Sequence, residues 1–212
     1  MNKHIEELTR RYPALAACAA EIEQAYEILA TSYAQGGKLL VAGNGGSAAD
    51  SEHIVGELMK EFRLKRQVYA NQAERLKAVD PEMGAVLAAN LQGALPAIAL
   101  TGHQGLNTAF MNDSGEPMLV FAQQVNGYGK PGDVFLGIST SGNSRNVLYA
   151  AVVAKANGLK VVGLTGQKSN RLEQFADVCI HVPETETYKI QELHLPVYHC
   201  LCLMLEERFF GA

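Results

Sequence analysis

Four hydroxyl side chains lie within one six-residue segment, 139–144 (STSGNS), directly after the apolar run 134–138. If a helix begins near Ser144, its free amides and its dipole face the same point as these hydroxyls, an arrangement that attracts an anion. Gly142 would allow the backbone to approach that anion closely. An N-cap and a turn would also explain a serine and an asparagine here, but capping needs one hydroxyl rather than four. We therefore predict a site for a phosphate monoester formed by Ser139, Thr140, Ser141 and Ser144.

A second polar turn, 43–47 (GNGGS), follows the apolar run 38–42. A tight strand-to-helix turn explains its glycines as well as a ligand site does. The turn lacks the spacing of the dinucleotide motif GxGxxG, and the chain has no GxxxxGK[ST] motif for a nucleotide triphosphate. We predict that Asn44, Gly45 and Gly46 contact sugar hydroxyls and that Ser47 adds a phosphate contact.

Two groups of ionisable side chains could act on such a ligand. His53 and Glu57 are four residues apart in a helical stretch and project from one face. They fit a salt-bridged surface pair, a metal pair or an acid/base pair, and the spacing alone leaves all three open. Gln191, His194 and His199 lie in a second stretch that is otherwise rich in apolar residues, where imidazoles need partners.

The elements that must position these residues alternate between strands and helices. Continuous apolar runs are typical of parallel strands that are covered on both faces, and they occur at 38–42, 96–100, 134–138, 159–164 and 178–182. Helical periodicity occurs at 47–62, 144–158 and 191–209. This alternation predicts an α/β fold, a doubly wound and mostly parallel five-stranded sheet flanked by helices. Both polar turns then lie at the carboxyl ends of strands, where such sheets bind ligands.

Two segments lie outside this alternation. Residues 1–37 have apolar residues at three- and four-residue steps, which predicts a helical segment packed in an oligomer interface or on the chain's own sheet, followed by one domain at 38–212. Pro13 is expected to separate two helices there. Residues 64–95 are charged and then rich in alanine and leucine, which favours a helical lid or a subunit contact without assignable chemistry.

Composition excludes several classes of protein. The net charge of −4 gives no electrostatic basis for binding nucleic acid as the main ligand. We expect no membrane span, because no apolar run approaches about 18 residues, and the N-terminus does not resemble a signal peptide. The four cysteines are scattered and lack a CxxC spacing, so we expect free thiols in the reducing cytoplasm.

Three motifs carry a resemblance to a known family: VAGNGGSAADSEHIVGEL (41–58), GDVFLGISTSGNSRNV (132–147) and IQELHLPVYH (190–199). They resemble the sugar isomerase (SIS) domain and, within it, the bacterial phosphoheptose isomerases. Those enzymes interconvert sedoheptulose 7-phosphate and D-glycero-D-manno-heptose 7-phosphate. The resemblance runs from about residue 10 to the C-terminus and is interrupted at 64–95.

The resemblance implies a role for each matching residue. It makes Glu57 the catalytic base and His199 the acid, and it implies a homotetramer with active sites at subunit interfaces. Zinc, reported in some members, would be bound by His53, Glu57, Gln191 and His199. Contacts to substrate are implied for Asn44, Gly45, Gly46, Ser47, Asn112, Asp113, Ser139, Thr140, Ser141, Ser144 and Gln191.

The implied chemistry is consistent with these residue types. Aldose–ketose isomerisation through a cis-enediol needs a base to move a proton between carbons and an acid near the carbonyl oxygen. Zinc would polarise that carbonyl. One geometric point opposes the ligand set, because Gln191 and His199 are eight residues apart, about 12 Å along an ideal helix. Pro196 between them is expected to kink or restart the helix.

Two other functions remain open from the sequence. A non-catalytic SIS protein that binds a replication-initiator partner would keep the glycine and serine turns but lack the catalytic Glu and the final His, whereas this chain has Glu57 and His199. An isomerase of another ketose phosphate is also consistent with these residues. The stretch SGEP after Asn112-Asp113 and the length of 64–95 differ from the family pattern and bear on the exact sugar.

Overall fold

A computed structural model describes residues 2–211 as an α/β structure around one parallel sheet. Its strands are β1 (Leu39–Ala42), β2 (Ala97–Ala99), β3 (Val134–Ile138), β4 (Lys160–Thr165) and β5 (Val178–His181). They are arranged in the order β2-β1-β3-β4-β5, and every neighbouring pair is parallel. The predicted doubly wound five-stranded sheet is confirmed, with each strand inside or within one residue of its predicted apolar run.

Nine α-helices surround the sheet in the described range 2–211. They are α1 (Lys3–Arg11), α2 (Ala19–Ala34), α3 (Gly46–Met59), α4 (Ala70–Val79), α5 (Pro81–Asn90), α6 (Gln104–Asp113), α7 (Val120–Tyr128), α8 (Arg145–Ala156) and α9 (Thr187–Phe210). Short 3₁₀ helices occupy Pro13–Cys18, Pro117–Leu119 and Leu172–Gln174.

A hydrophobic core lies on each face of the sheet. Alternate side chains point to opposite faces of a strand, so Val134, Leu136 and Ile138 join α1, α2, α3 and α9 on one face. Phe135 joins the core formed with α7 and α8 on the other face. All five residues of β3 are buried. This burial on both faces explains why the strands are continuous apolar runs rather than alternating ones.

The order of strands creates a switch point between β1 and β3. The chain leaves β1 toward β2 on one side, and β3 packs on the other side, so the connections after β1 and β3 diverge. In open α/β sheets the crevice at such a point, beyond the carboxyl ends of the strands, is the usual ligand site. The turns 43–47 and 139–144 follow β1 and β3 and therefore flank this crevice.

The N-terminal segment is helical, as predicted, and Pro13 begins the 3₁₀ helix between α1 and α2. Its buried residues, including Ile5, Leu15 and Ile22, belong to the same core as the sheet and α9. The segment therefore packs on the chain's own domain, and its part in an oligomer interface stays a prediction.

Residues 64–95 form a helical hairpin of α4 and α5, joined at Asp80. The Asp80 carboxylate accepts a hydrogen bond from the Met83 amide, and Pro81 occupies the first turn of α5, both favourable at a helix start. The base of the hairpin is closed by an antiparallel bridge between Gln67 and Gln92. Large apolar side chains are exposed on it, namely Val79, Met83, Val86, Leu87 and Leu91.

A kink or a restart of the helix was expected at Pro196, and α9 does not restart there but continues through it. Pro196 is buried, as are the next two residues, Val197 and Tyr198, so packing holds the helix across the missing amide hydrogen bond. Within the described part of the chain, none of the helices is both long and apolar enough to cross a membrane.

Candidate active site

The serine hydroxyls of the loop 139–144 bond within the loop and do not cap helix α8. Ser144 is the N-cap residue of α8, yet its side chain makes no capping hydrogen bond to the described residues and instead pairs with the Ser139 hydroxyl at 3.0 Å. Gly142 has a positive φ of 62°, which turns the chain so that these groups face one point. Helix capping therefore does not explain the serines of this loop.

The turn 43–47 is connected to this loop by a reciprocal pair of amide hydrogen bonds. The Asn44 amide donates to Asn146 Oδ1 at 3.0 Å, and the Asn146 amide donates to Asn44 Oδ1 at 2.8 Å. Asn44 and Ser144 share a cavity of about 620 Å³. Asn146, in the first turn of α8, was not singled out in the sequence, although it lies next to the serine-rich loop.

Gln191, at the other side of the turn, lies against Gly46. A Cβ atom at position 46 would be 2.6 Å from Gln191 Nε2, so the end of the glutamine side chain would have to move if position 46 carried one. Gln191 is thereby placed among the predicted sugar-binding residues of the turn. Thr140 and Ser141 line a neighbouring cavity of about 220 Å³ together with Ile190.

The predicted base and acid lie together near the far end of α3. His53 Nε2 lies 3.1 Å from Glu57 Oε1, and the rings of His53 and His199 are 5.0 Å apart and nearly perpendicular. The second oxygen of Glu57, Oε2, and the Nε2 atom of His199 are both buried without a hydrogen-bond partner among residues 2–211. Lys60 Nζ is 3.5 Å from Glu57 Oε2. Glu57 and His199 both lie against His53, and a buried polar atom without a hydrogen bond on each of them indicates a site for a ligand.

The surroundings of His199 favour its neutral form. Burial lowers the pKa of His199, the positive charges that His53 and Arg11 can carry lower it further, and the carboxylate of Glu57 opposes them. A neutral imidazole at neutral pH has one N–H to donate and one lone pair to accept. His199 can therefore pass a proton in either direction, as an acid near a carbonyl oxygen must.

A buried ion pair fixes the end of α3 that carries Glu57. Arg66 donates hydrogen bonds to the carbonyl oxygens of Glu57 and Leu58, which have no partner within the helix at its last turn. Arg66 also pairs with Glu206 of α9 at 2.8 Å, and both side chains are almost fully buried, 0% and 1% exposed. The sequence analysis assigned no chemistry to 64–95, and Arg66 shows that the first residues of this segment support the site.

The two halves of the predicted site are far apart within one chain. Ser47 and Glu57 are ten residues apart on α3, about 15 Å along the helix axis. Ser144 lines one cavity, Thr140 and Ser141 line a second, and His199 lines a third of about 330 Å³ beside α1. None of the five cavities described in the single chain is therefore lined by both the phosphate loop and the acid/base pair.

The predicted zinc ligands are brought together only in part. His53, Glu57 and His199 are neighbours, whereas Gln191 lies beside Gly46, seven residues or about 10 Å along α3 from His53. No group of three His, Cys, Asp or Glu side chains among residues 2–211 has the arrangement of a metal site. As arranged here, the four side chains do not form one zinc-binding set.

Asn112 and Asp113 lie at the end of α6, where both are exposed and the Asn112 amide donates to the Asp113 carboxylate at 2.9 Å. The structure thus leaves this pair on the surface, while Met111 beside it lines the cavity of Asn44 and Ser144. The sequence also gave no reason to single out Tyr198 and Asp50, although the Tyr198 hydroxyl contacts both Asp50 and His53. Tyr198 precedes His199 directly, but nothing in the spacing indicated its partner.

Comparison with known protein families identifies the domain. Models described as SIS domain match residues 92–204 and, separately, residues 3–78. The first match contains the serine-rich loop and α9, and the second contains the glycine turn and α3. The two matches together include every predicted site residue.

Relatives of known name are similar over nearly the whole chain. The phosphoheptose isomerase of Akkermansia muciniphila is 36% identical over 201 residues, which are 95% of this chain and 92% of the relative. That of Thiobacillus denitrificans is 41% identical over 199 residues, 92% of this chain and 87% of the relative. A solved structure of phosphoheptose isomerase from Neisseria gonorrhoeae has 32% identity and a TM-score of 0.74, covering 97% of this chain and 96% of that one.

Proposed function

Because this chain belongs to the phosphoheptose isomerases of the SIS-domain family and is an aldose–ketose isomerase, we propose that Glu57 and His199 are its catalytic base and acid. The substrate is sedoheptulose 7-phosphate, interconverted with D-glycero-D-manno-heptose 7-phosphate through a cis-enediol. The phosphate is held by Ser139, Thr140, Ser141 and Ser144, with Ser47 as a further contact, and the sugar hydroxyls by Asn44, Gly45, Gly46, Gln191, Asn112 and Asp113.

The reaction moves one proton between neighbouring carbons. Glu57 removes the proton from the carbon next to the carbonyl, while His199 donates a proton to the carbonyl oxygen, which gives the enediol. Glu57 then returns its proton to the adjacent carbon, and His199 takes back a hydroxyl proton as the new carbonyl forms. Each group ends the cycle in the state in which it began.

One observation carries the assignment of this pair. Glu57 Oε1 is held by His53, whereas Oε2 is buried with no hydrogen-bond partner in the described chain, and the same is true of His199 Nε2. Oε2 lies 3.5 Å from the Lys60 ammonium but accepts no hydrogen bond from the described residues, so it can accept a proton from a substrate carbon. An acid nitrogen without a protein partner is likewise available to a substrate oxygen.

The test is turnover of sedoheptulose 7-phosphate by the purified protein and by Glu57→Gln. Glutamine keeps the shape of the side chain and removes the basic oxygen, so turnover should be abolished while binding of the phosphosugar is retained. Glu23→Gln, on the exposed side of α2, is the matched control and should keep full activity. A folded wild-type protein that converts none of a panel of ketose phosphates would refute the proposed function, and turnover by Glu57→Gln would refute the assigned base.

We also propose that the active site is completed at an interface between copies of the chain, in a homotetramer. The support is that Ser47 and Glu57 are ten residues apart on α3, together with the positions of Ser144 and His199 in different cavities of one chain. A cytoplasmic location is part of the same proposal, and the free state of all four cysteines is consistent with it.

Zinc remains a proposal for the cluster of His53, Glu57 and His199. Imidazole and carboxylate are suitable zinc ligands, and a bound ion would polarise the substrate carbonyl. Gln191, on α9, lies beside Gly46 at the opposite end of α3 from them, so the proposed set needs a rearranged or additional ligand. Elemental analysis of protein purified without chelator tests this, and a zinc content well below one ion per chain would contradict it.

A further inference from the structure

The segment 166–172, which follows β4, holds the serine-rich loop 139–144 through its backbone. Three of its amides donate hydrogen bonds to that loop, namely Gly166 to the Thr140 carbonyl at 3.1 Å, Leu172 to the Gly142 carbonyl at 3.0 Å and Arg171 to Asn143 Oδ1 at 3.1 Å. These donors come from both ends of the segment. A change in the course of the segment would therefore displace the serine-rich loop.

The Asn170 side chain holds this segment in its observed course. Its amide nitrogen donates to the Lys168 carbonyl at 3.0 Å and to Thr165 Oγ1 at 3.3 Å. Its oxygen accepts from the Leu172 amide at 3.1 Å and from the Glu173 amide at 3.3 Å. The side-chain amide has one orientation that satisfies these partners, because the Lys168 carbonyl needs a donor and the two amides need an acceptor. One side chain thus joins the start of the segment to its end.

Asn170 also packs directly against Gly142 of the serine-rich loop. A Cβ atom at position 142 would lie 2.1 Å from Asn170 Cγ, so the asparagine side chain fills the space beside the glycine. Gly142 is the residue at which the loop turns, with a φ of 62°. Asn170 is 8% exposed, and its surroundings therefore leave the side chain little room to move. The turn of the serine-rich loop thus rests on a side chain from a different loop.

We propose that Asn170 is a positioning residue for the phosphate site, which holds the serine-rich loop in the conformation that binds the phosphate. The inference rests on the proposed role of that loop. None of the five cavities described in the chain is lined by Asn170, so the residue acts through the loop and does not touch the substrate. Loss of its side chain should therefore weaken binding of the phosphosugar more than it slows the chemical step.

The kinetic test uses Asn170→Ala. We expect KM for sedoheptulose 7-phosphate to rise about tenfold, with kcat within about threefold of the wild type, because the change affects binding and leaves Glu57 and His199 in place. Ser32→Ala is the matched control, since Ser32 is also buried and donates to the Gly132 carbonyl at 2.6 Å, at the amino end of β3 and away from the loop. Equal KM values for the two variants would overturn the proposal.

The conservative variant Asn170→Ser separates positioning from loss of the fold. A serine hydroxyl can replace the asparagine oxygen as the acceptor in such a turn, so this variant is expected to fold even if Asn170→Ala does not. It is smaller than asparagine and leaves part of the space beside Gly142 empty. Its KM should lie between those of the wild type and Asn170→Ala. A KM equal to that of the wild type, or above that of Asn170→Ala, would overturn the proposal.

Hydrogen–deuterium exchange tests the position of the loop without substrate. The amides of residues 139–144 should exchange faster in Asn170→Ala than in Ser32→Ala, while those of β1 should remain equally protected in both. Exchange in the loop that is the same in the two variants would overturn the inference even if the enzyme is active.

Titration with inorganic phosphate distinguishes failure of this inference from failure of the proposed function. The amide NMR signals of residues 139–145 should shift in the wild type, and half-saturation of Asn170→Ala should need about tenfold more phosphate. Signals that do not shift in the wild type would refute the phosphate-binding role of the loop and the inference with it. Equal half-saturation of the wild type and Asn170→Ala would overturn the inference alone.

Discussion

Glu57 illustrates how much of the site depends on individual atoms rather than residue types. The spacing of His53 and Glu57 predicted that they share a helix face, and they do. The spacing could not predict that the His53 ring contacts the Tyr198 hydroxyl or that the Glu57 carbonyl accepts from Arg66, because both partners come from distant parts of the chain. Patterns along one helix predict neighbours on that helix, whereas partners from another element follow only from packing.

Gly142 carries a prediction for the phosphate loop. Its φ is positive, and a Cβ atom at this position would overlap the side chain of Asn170. Gly142→Ala should therefore displace the loop and raise KM for the phosphosugar by about tenfold or more, because L residues are strained at this φ. The comparison is Gly127→Ala in α7, where nothing lies within 4 Å of the added carbon and KM should not change. Equal KM values for the two variants would show that the loop does not hold the phosphate.

His194 predicts a pH dependence of stability. Burial lowers the pKa of His194 to about 4, and the Thr165 backbone opposes this with a weaker effect. Neither ring nitrogen makes a hydrogen bond to any of residues 2–211. At pH values between the His194 pKa of about 6.5 in the unfolded chain and its pKa of about 4 in the folded chain, the unfolded chain binds a proton that the folded chain does not. Stability should thus be complete above pH 6.5 and fall by about 3 kcal/mol as the pH drops to 4.

Urea unfolding of the wild type and of His194→Gln at several pH values between 4 and 7 measures this effect. Other groups titrate in this range in both proteins, so the difference between the two curves isolates His194. The curve of His194→Gln should be flatter over this range. Parallel curves would show that His194 is protonated as readily in the folded chain as in the unfolded one.

Helix α3 is the element on which both halves of the site depend. It begins at the glycine turn, at the carboxyl edge of the sheet, and its last turn carries Glu57, whose carbonyl is held by Arg66. The strands that position its start could be predicted because each is a continuous apolar run between polar turns. The end of α3 could not be predicted, because the chain leaves the helix after Met59 in a stretch whose hydrogen bonds are completed by Glu206 of α9.

The variant Glu206→Ala tests whether the end of α3 depends on the Glu206 carboxylate. The carboxylate of Glu206 accepts from the Phe62 and Arg63 amides and from Arg66, and the Arg66–Glu206 pair is buried. Removing one member of a buried pair leaves an uncompensated charge, so the free energy of unfolding should fall by about 3 to 5 kcal/mol. Glu207→Ala is the adjacent control, because Glu207 pairs with Lys3 and His4 at the surface and should have a much smaller effect. Similar losses in both variants, measured by urea unfolding, would contradict the role of Arg66 and Glu206.

At the scale of the whole molecule, the hairpin of α4 and α5 stands apart from the two cores. None of its side chains belongs to either core within the described chain, while Val79 and Met83 at its tip are 89% and 63% exposed. Gln67 and Gln92 at its base are bridge partners, so a short glycine linker can replace residues 68–91. The shortened chain should unfold at the same midpoint in urea as the wild type. A large drop in midpoint would show that the hairpin stabilises the domain.

The distance between the phosphate loop and Glu57 leads to the last prediction, which concerns assembly. If one substrate is held by the serine-rich loop of one copy and acted on by Glu57 and His199 of another, two inactive variants can complement each other. Ser144→Ala combined with Ser139→Ala removes two of the four loop hydroxyls, and Glu57→Gln removes the base. Neither protein alone should turn over sedoheptulose 7-phosphate.

Mixed subunits should regain activity, because some interfaces then combine an intact loop with an intact Glu57. The measurement is turnover after the two variants are unfolded together in urea and refolded, compared with the same variants refolded separately and then mixed. Light scattering checks that both preparations form the same oligomer. Recovery only after joint refolding requires that the two halves come from different copies. Absence of recovery, with intact oligomers, would mean that a single chain supplies both halves.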